Sequence, residues 1–291
     1  MKTAPLQMLL IFLFLFYGSS LSEELQIDKD SGPNPWTHLQ LNNNPRNFQF
    51  AIISDRTGRV RPGVFADGIQ KLNLLQPEFV ITIGDVIEGS EKSEQEINEQ
   101  WDMMLPIINR LEMPFFFIPG NHDFKSKATK DIWKERFGRD YYHFIYQDVL
   151  FLCLNGAGPI GDDQIEYFDN VLKKNGVRWT LVFLHKPRWS KQERADWNKF
   201  ELLLGNRNYT VFAGYNHVYN KEVHNEKIYY TLATTGGKSG LREPDRGEFD
   251  HFMWVTMNDD GPRIANLLLA GILNDDPRKQ RNKAVDATRT L

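Results

Sequence analysis

Five short apolar runs in this chain each end in a polar cluster, and the five follow one another in order. The runs are residues 48–53, 79–83, 115–118, 180–184 and 210–213. The clusters behind them are Ser54-Asp55-Arg56-Thr57-Gly58, Gly84-Asp85-Val86-Ile87-Glu88, Gly120-Asn121-His122-Asp123, His185-Lys186-Pro187 and Gly214-Tyr215-Asn216-His217. The runs are rich in β-branched and aromatic residues and mostly lack polar alternation, as do strands buried on both faces. A further run at 149–154 has the same character. In open α/β sheets ligands bind beyond the C-terminal ends of the strands, so the five clusters are expected to converge on one crevice.

Helical periodicity lies between several runs. Ile97, Trp101, Met104, Leu105, Ile108 and Leu111 fall on one face, with Pro106 expected to kink or interrupt the helix. A second helix is expected to start near Asp163, spaced from Glu166 as in a capping box, and to run through Ile165, Phe168 and Leu172. This alternation predicts an α/β domain. After Gly214, the segments 218–223, 227–234, 252–257 and 264–269 follow without a convincing helix, which predicts an antiparallel second sheet.

With 41% apolar and 25% charged residues, the 291-residue chain can build a large core and is not a disordered protein or a fibre. A net charge of -3 gives no reason to expect binding to duplex nucleic acid. One cysteine excludes an intrachain disulfide framework, and Cys153, inside an apolar run, reads as a buried side chain. Lys2, the apolar stretch 8–17 and the small residues Gly18, Ser19, Ser20 and Ser22 read as a signal peptide over 1–22. Ten apolar residues are too few to span a bilayer that needs about 20. The expected organisation is a signal peptide, a proline-punctuated extended lead-in over 23–47, one domain over 48–273 and a polar tail over 274–291. An exported protein, periplasmic or secreted, with no stable membrane anchor after cleavage is expected.

The five clusters bring together carboxylate, imidazole and amide groups. That collection suits a binuclear centre, in which a carboxylate bridges ions about 3.5–4 Å apart, as for in-line displacement at phosphorus. Singly, each motif is weak: Gly-Asn-His-Asp can be a capped turn, and a lone His at a strand end is often structural.

Taken in order, the clusters resemble the calcineurin-like metallophosphoesterase superfamily, whose series runs Asp-x-His, Gly-Asp-x-x-Asp/Glu, Gly-Asn-His-Asp/Glu, a solitary His and Gly-His-x-His. The resemblance spans about 48–269 and implies a four-layer α/β/β/α sandwich of two mixed sheets. It implies that Asp85 bridges two metals, that Asp55 and His217 bind the first, and that Asn121 and His185 bind the second. It further implies that His122 acts on the phosphate or leaving group, with Asp123 orienting it.

Two residues depart from the pattern: Thr57 stands where the first motif has a His, and Tyr215 where the fifth has its first His. Purple acid phosphatases also lack the first-motif His and use a Tyr three residues after the bridging Asp, where this chain has Glu88. Glu88 therefore either completes the first site, tilting it towards Fe or Mn rather than Zn, or is an outer or solvated carboxylate. Tyr215 either supplies a phenolate, leaves the second ion short of a ligand, or marks the loss of a two-metal site. A weakened second site is the favoured reading, because neutral Tyr is a poor ligand until its pKa of about 10 is depressed.

Arg56 could pair bidentately with phosphate or be a surface side chain of a polar turn. Lys186 and Arg188 could face substrate or solvent, and the Gly236-Gly237 loop could reach the crevice. His251 reads as a core or loop residue ahead of a replacement imidazole, and Trp189, Trp197 and Trp254 read as core. The expected protein is an exported hydrolase of a small-molecule phosphate mono- or diester, using two divalent or mixed-valence ions of Fe, Mn or Zn. The rival is a degenerate, non-catalytic member that binds metal or phosphate.

Overall fold

The computed structural model describes residues 25–28, 31–39, 47–190 and 194–274. The signal-peptide segment 1–22, and the tail apart from Asn274, lie outside the described residues. Along the chain run β1 (Gln26–Ile27), β2 (Gln49–Ile53), α1 (Val64–Leu75), β3 (Val80–Thr82), α2 (Glu94–Ile108) and β4 (Phe115–Phe116). They are followed by α3 (Lys127–Phe137), β5 (Tyr142–Tyr146), β6 (Val149–Cys153), α4 (Asp162–Lys174), β7 (Trp179–Phe183) and α5 (Arg194–Leu204). The last strands are β8 (Tyr209–Ala213), β9 (Asn220–His224), β10 (Lys227–Thr231), β11 (His251–Asn258) and β12 (Gly261–Leu268).

Two mixed sheets result, ordered β1-β5-β6-β7-β8-β10-β9 and β12-β11-β2-β3-β4. Neighbours in β6-β7-β8-β10 and in β2-β3-β4 are parallel, and the outer pairings are antiparallel. Strand periodicity explains the layers. Val149, Phe151 and Cys153 of β6 enter the core between the sheets, while Leu150 and Leu152 turn to the opposite face among α4 and α5 side chains such as Phe168 and Phe200. On the other sheet, Phe50 and Ile52 face the inter-sheet core, and Ala51 and Ile53 meet Ile69, Leu72, Trp101 and Trp133 from α1, α2 and α3. The architecture is the four-layer α/β/β/α sandwich. Burial pushes the Cys153 thiol far up, as a core side chain requires.

Three local expectations are corrected. The four strands after Gly214 do not form a sheet of their own. β10 pairs parallel with β8 and carries β9 as its edge partner, whereas β11 and β12 extend the sheet of β2. Alternation revealed the strands but not their partners. α2 runs through Pro106 without interruption, held by the buried stripe Ile97, Trp101, Met104 and Ile108. α4 has Gly161 at its N-cap and no side-chain cap; Asp162 and Asp163 lie in its first turn, where carboxylates favour the helix dipole. The capping box lies instead on α2, where Ser93 and Glu96 exchange bonds.

His251 is a core residue. Its Nδ1 faces Asn266 Oδ1 at 3.0 Å, and Nε2 accepts from the Ala233 N–H at 3.1 Å, so the neutral ring is satisfied. Burial lowers its pKa from 6.5 to about 4. Between these values the unfolded chain binds the extra proton, so this contribution to stability is complete above 6.5 and is lost as pH falls towards 4. From pH 7 to pH 5 the residue should remove about 2 kcal/mol. Urea unfolding of the wild type and His251→Gln at both pH values should show the smaller loss in the variant; equal losses would contradict the assignment.

Candidate metal centre

The five clusters lie at the C-terminal ends of β2, β3, β4, β7 and β8, three from one sheet and two from the other. The ends approach closely because glycine leaves room. A Cβ on Gly120 would come within 2.1 Å of Asp85 Oδ1, and one on Gly214 within 2.4 Å of Asp55 Oδ2. Asp85, at φ 58°, sits in the left-handed region that Asp and Asn tolerate best among side-chain-bearing residues.

Asp55, Asp85 and His185 are buried and place one ligand atom each within 4.8 Å of the others. His185 Nε2 lies 3.3 Å from Asp85 Oδ2 and 3.0 Å from Asn121 Oδ1. Beside them, His217 Nε2 lies 3.3 Å from Asp55 Oδ1. Asn121 and His217 thus extend the cluster on either side.

The hydrogen bonds of the two rings test whether a cation fits. His185 Nδ1 is 2.8 Å from the Ile83 carbonyl, and His217 Nδ1 is 2.8 Å from the Lys238 carbonyl. A carbonyl only accepts, so each Nδ1 carries a proton, and in the neutral ring each Nε2 offers a lone pair to a carboxylate. Lone pairs facing lone pairs require a proton or a cation between them, and a ring held through its other N–H by a carbonyl is the usual setting of a metal-bound His. Burial opposes a charge on His185, yet Asp85 and Asp55 raise its pKa to about 9; burial likewise opposes the charge on His217, and Asp55 raises it. Against its own burial, Asp85 is held down at about 2 by His185 and His122. Proton and cation compete for the same atoms. The donor set fits a divalent cation.

Thr57 Oγ1 donates to Asp85 Oδ2 at 3.0 Å, so a hydroxyl serves the carboxylate where the family pattern has an imidazole. Tyr215 meets the site through its backbone, its N–H lying 3.2 Å from both Asp55 oxygens. Its ring stands at 84° to that of His185, with centroids 5.6 Å apart, and Lys186 Nζ lies 4.8 Å from its centroid. No hydrogen bond to the phenol oxygen is found among the described residues.

The structure places three more of the expected residues. Glu88 Oε1 accepts from the Gly58 N–H at 2.5 Å and the Arg59 N–H at 3.2 Å, and Oε2 lies 3.2 Å from His122 Nδ1. Asp123 meets backbone rather than the His122 ring. It is fully buried and accepts from the N–H groups of Asp85, Val86, Ile87 and Gly120, clamping two clusters together. Burial, then the Asp85 charge, push Asp123 up to about 7, while the Ile87 and Gly120 N–H groups pull it down. Arg56 Nη1 donates to the Val86 carbonyl at 3.0 Å, bracing the same loop, and burial lowers its pKa.

Arg188 pairs with Asp196, and Trp189 and Trp197 lie in the outer core. The Gly236-Gly237 loop does reach the site: the Thr235 and Gly237 N–H groups donate to the Asp55 carbonyl. Sequence reading placed Ser54 in the first cluster but gave it no role, and its Oγ donates to Asp55 Oδ2 at 2.6 Å; it missed the carbonyls of Ile83 and Lys238, which no side chain signals. A cleft of about 870 Å³ opens beside His217, lined by residues including Gly58, Arg59, Tyr215 and Lys238.

Known proteins resemble this chain in sequence and in fold. A curated relative, the 3',5'-cyclic adenosine monophosphate phosphodiesterase CpdA of Haemophilus influenzae, is 24% identical over 129 residues, 42% of this chain and 45% of that protein. The chain thus spans less than half the length of that relative. A dimetal phosphatase from Danio rerio is similar in structure at TM-score 0.53 and 14% identity, over 76% of this chain and 99% of the other. GAP50, the anchor in the inner membrane complex of Plasmodium, is similar at TM-score 0.59 and 14% identity, over 79% and 87%. The family model for calcineurin-like phosphoesterases matches residues 48–237, all five clusters included, and the chain belongs to that family.

Proposed function

We propose that this chain hydrolyses phosphate esters at a metal centre held by Asp55, Asp85, Asn121, His185 and His217, with His122 meeting the leaving group. One observation carries the reading: two imidazoles, each fixed by a carbonyl on Nδ1, aim Nε2 at carboxylate oxygens of Asp85 and Asp55. The chemistry a divalent ion supplies when bound there is acidification of water and polarisation of a phosphoryl oxygen.

The chain's own residues do the positioning. Thr57 Oγ1 and the His122 N–H fix the two oxygens of Asp85, and Asp123 fixes the loop that carries it. Glu88 Oε2 lies 3.2 Å from Nδ1 of His122 and holds that side of the ring, which leaves Nε2 for the departing alkoxide. The relative's activity on a phosphodiester and the resemblance to a dimetal phosphatase support the reaction class.

After loading with Mn, Fe or Zn, the protein should turn over p-nitrophenyl phosphate or its bis ester, lose that activity to a chelator and regain it with metal. A metal-loaded protein inert towards both would favour a second reading, a binding protein of this fold. Thr57 and Tyr215 motivate that reading, since each replaces an imidazole, and so does the likeness to an anchor protein. Export, with cleavage after Ser22, rests on the apolar stretch 8–17 and its small-residue flank. Recovery of an exported chain beginning at Glu23 tests it. Among the described residues no helix is long and apolar enough to cross a membrane.

A further inference from the structure

Tyr215 is built in a way that metal binding does not require. Its backbone is left-handed, at φ 70°, which is strained for a bulky side chain; Gly or Asn would hold the same turn more easily. The work of its backbone, an N–H on the Asp55 carboxylate, needs no aromatic ring. The residue is nevertheless 45% exposed, at the lip of the 870 Å³ cleft. Strained residues persist where the surroundings over-determine them and cluster at ligand sites, so the ring invites a ligand contact.

The ring is held for such a contact. His185 packs at right angles to it, and Lys186 Nζ lies over it at 4.8 Å. With the phosphoryl group near His185 and Asp85 and the ester oxygen at His122, the far end of a leaving group that turns towards the cleft would pass Tyr215, which packs on His185 and lines the cleft. There the neighbours are the apolar side chain of Val218 and the cationic side chains of Arg59 and Lys238, while Arg61 and Glu248, which also line the cleft, are ion-paired with Asp250 and Arg242. An exposed aromatic face with cationic neighbours suits a flat ring carried by an anionic molecule.

We propose that Tyr215 is the platform on which the leaving group stacks, and that the site selects phosphate esters whose leaving group carries a flat aromatic ring. The inference rests on the phosphoesterase reading for its chemistry, but the stacking itself is open to a separate binding test.

Adenosine 5'-monophosphate and ribose 5-phosphate isolate the contact, because the same primary alcohol leaves from both and only the base differs. In the metal-loaded protein kcat/KM should favour the nucleotide by roughly tenfold or more, mainly through KM, as expected of one stacked base. Tyr215→Ala should bring the ratio close to one, and Tyr215→Phe should keep it. Tyr215→Asn, at ease in the left-handed turn, separates loss of the ring from backbone strain: its ratio should also fall while its melting temperature holds. A wild-type ratio near one, or a ratio unchanged in Tyr215→Ala and Tyr215→Asn, would overturn the proposal.

If neither ester is hydrolysed, the phosphoesterase reading fails, and calorimetric titration of the same two compounds still decides the platform. Tighter binding of the nucleotide, lost in Tyr215→Ala and Tyr215→Asn, supports it. Equal binding, or none, overturns it.

Discussion

Asp85→Asn is expected to lose bound metal and phosphoester hydrolysis together while leaving the fold in place. Asn is tolerated at φ 58° and keeps an oxygen for the Thr57 hydroxyl or the His122 N–H, so the turn survives. What goes is the negative charge shared by His185, His122 and any cation between them. Altering a partner behind a metal ligand typically costs 10- to 100-fold in metal affinity, and removing a charged ligand should cost about that much or more. The rate should fall by on the order of a thousandfold, since the cation's effect on transition-state charge is worth several kcal/mol. Elemental analysis and turnover on the same preparation check this. A variant that loses activity but keeps its metal would assign Asp85 to something other than ligation.

The second large effect separates acid catalysis from metal binding. His122→Ala should lower kcat by roughly 10²- to 10⁴-fold, the usual worth of a general acid, with bound metal unchanged. Glu88→Gln should lower kcat by roughly tenfold, again without loss of metal, because Gln keeps the shape of the side chain but no longer carries the charge 3.2 Å from Nδ1. The activity of both variants should fall most with leaving groups of high pKa, which need the proton, and least with p-nitrophenolate. Loss of metal in Glu88→Gln would place that residue in the ligand set and contradict this assignment.

Much of this site was legible in the sequence for one reason. Each polar cluster interrupts a run buried on both faces, and buried strands deliver their ends to a common edge. Asp55, Asp85, Asn121, His185 and His217 are brought together for that reason. Glu88, Asp123 and Arg56 were harder to read, because a motif places a residue near a site without saying which way it points. Asp123 turns inward to four N–H groups of the loops it joins, and Arg56 turns to a carbonyl. The carbonyls of Ile83 and Lys238 set the tautomers of both imidazoles, and a carbonyl has no sequence signature.

The fold divides in the same way. Continuous apolar runs exposed most of the central strands, but β9 to β12 were assigned to one sheet because a run of residues carries no information about partners. α3, with its many charged residues, went unread, and its burial rests on Thr129, Ile132, Trp133 and Phe137.

The most direct test of the account is the metal content of the chain from Glu23 onward, after equilibration with Mn, Fe and Zn and gel filtration. The account predicts at least one tightly held ion per wild-type chain, lost in Asp85→Asn and retained in Glu88→Gln. A wild-type chain that holds none under these conditions would contradict it.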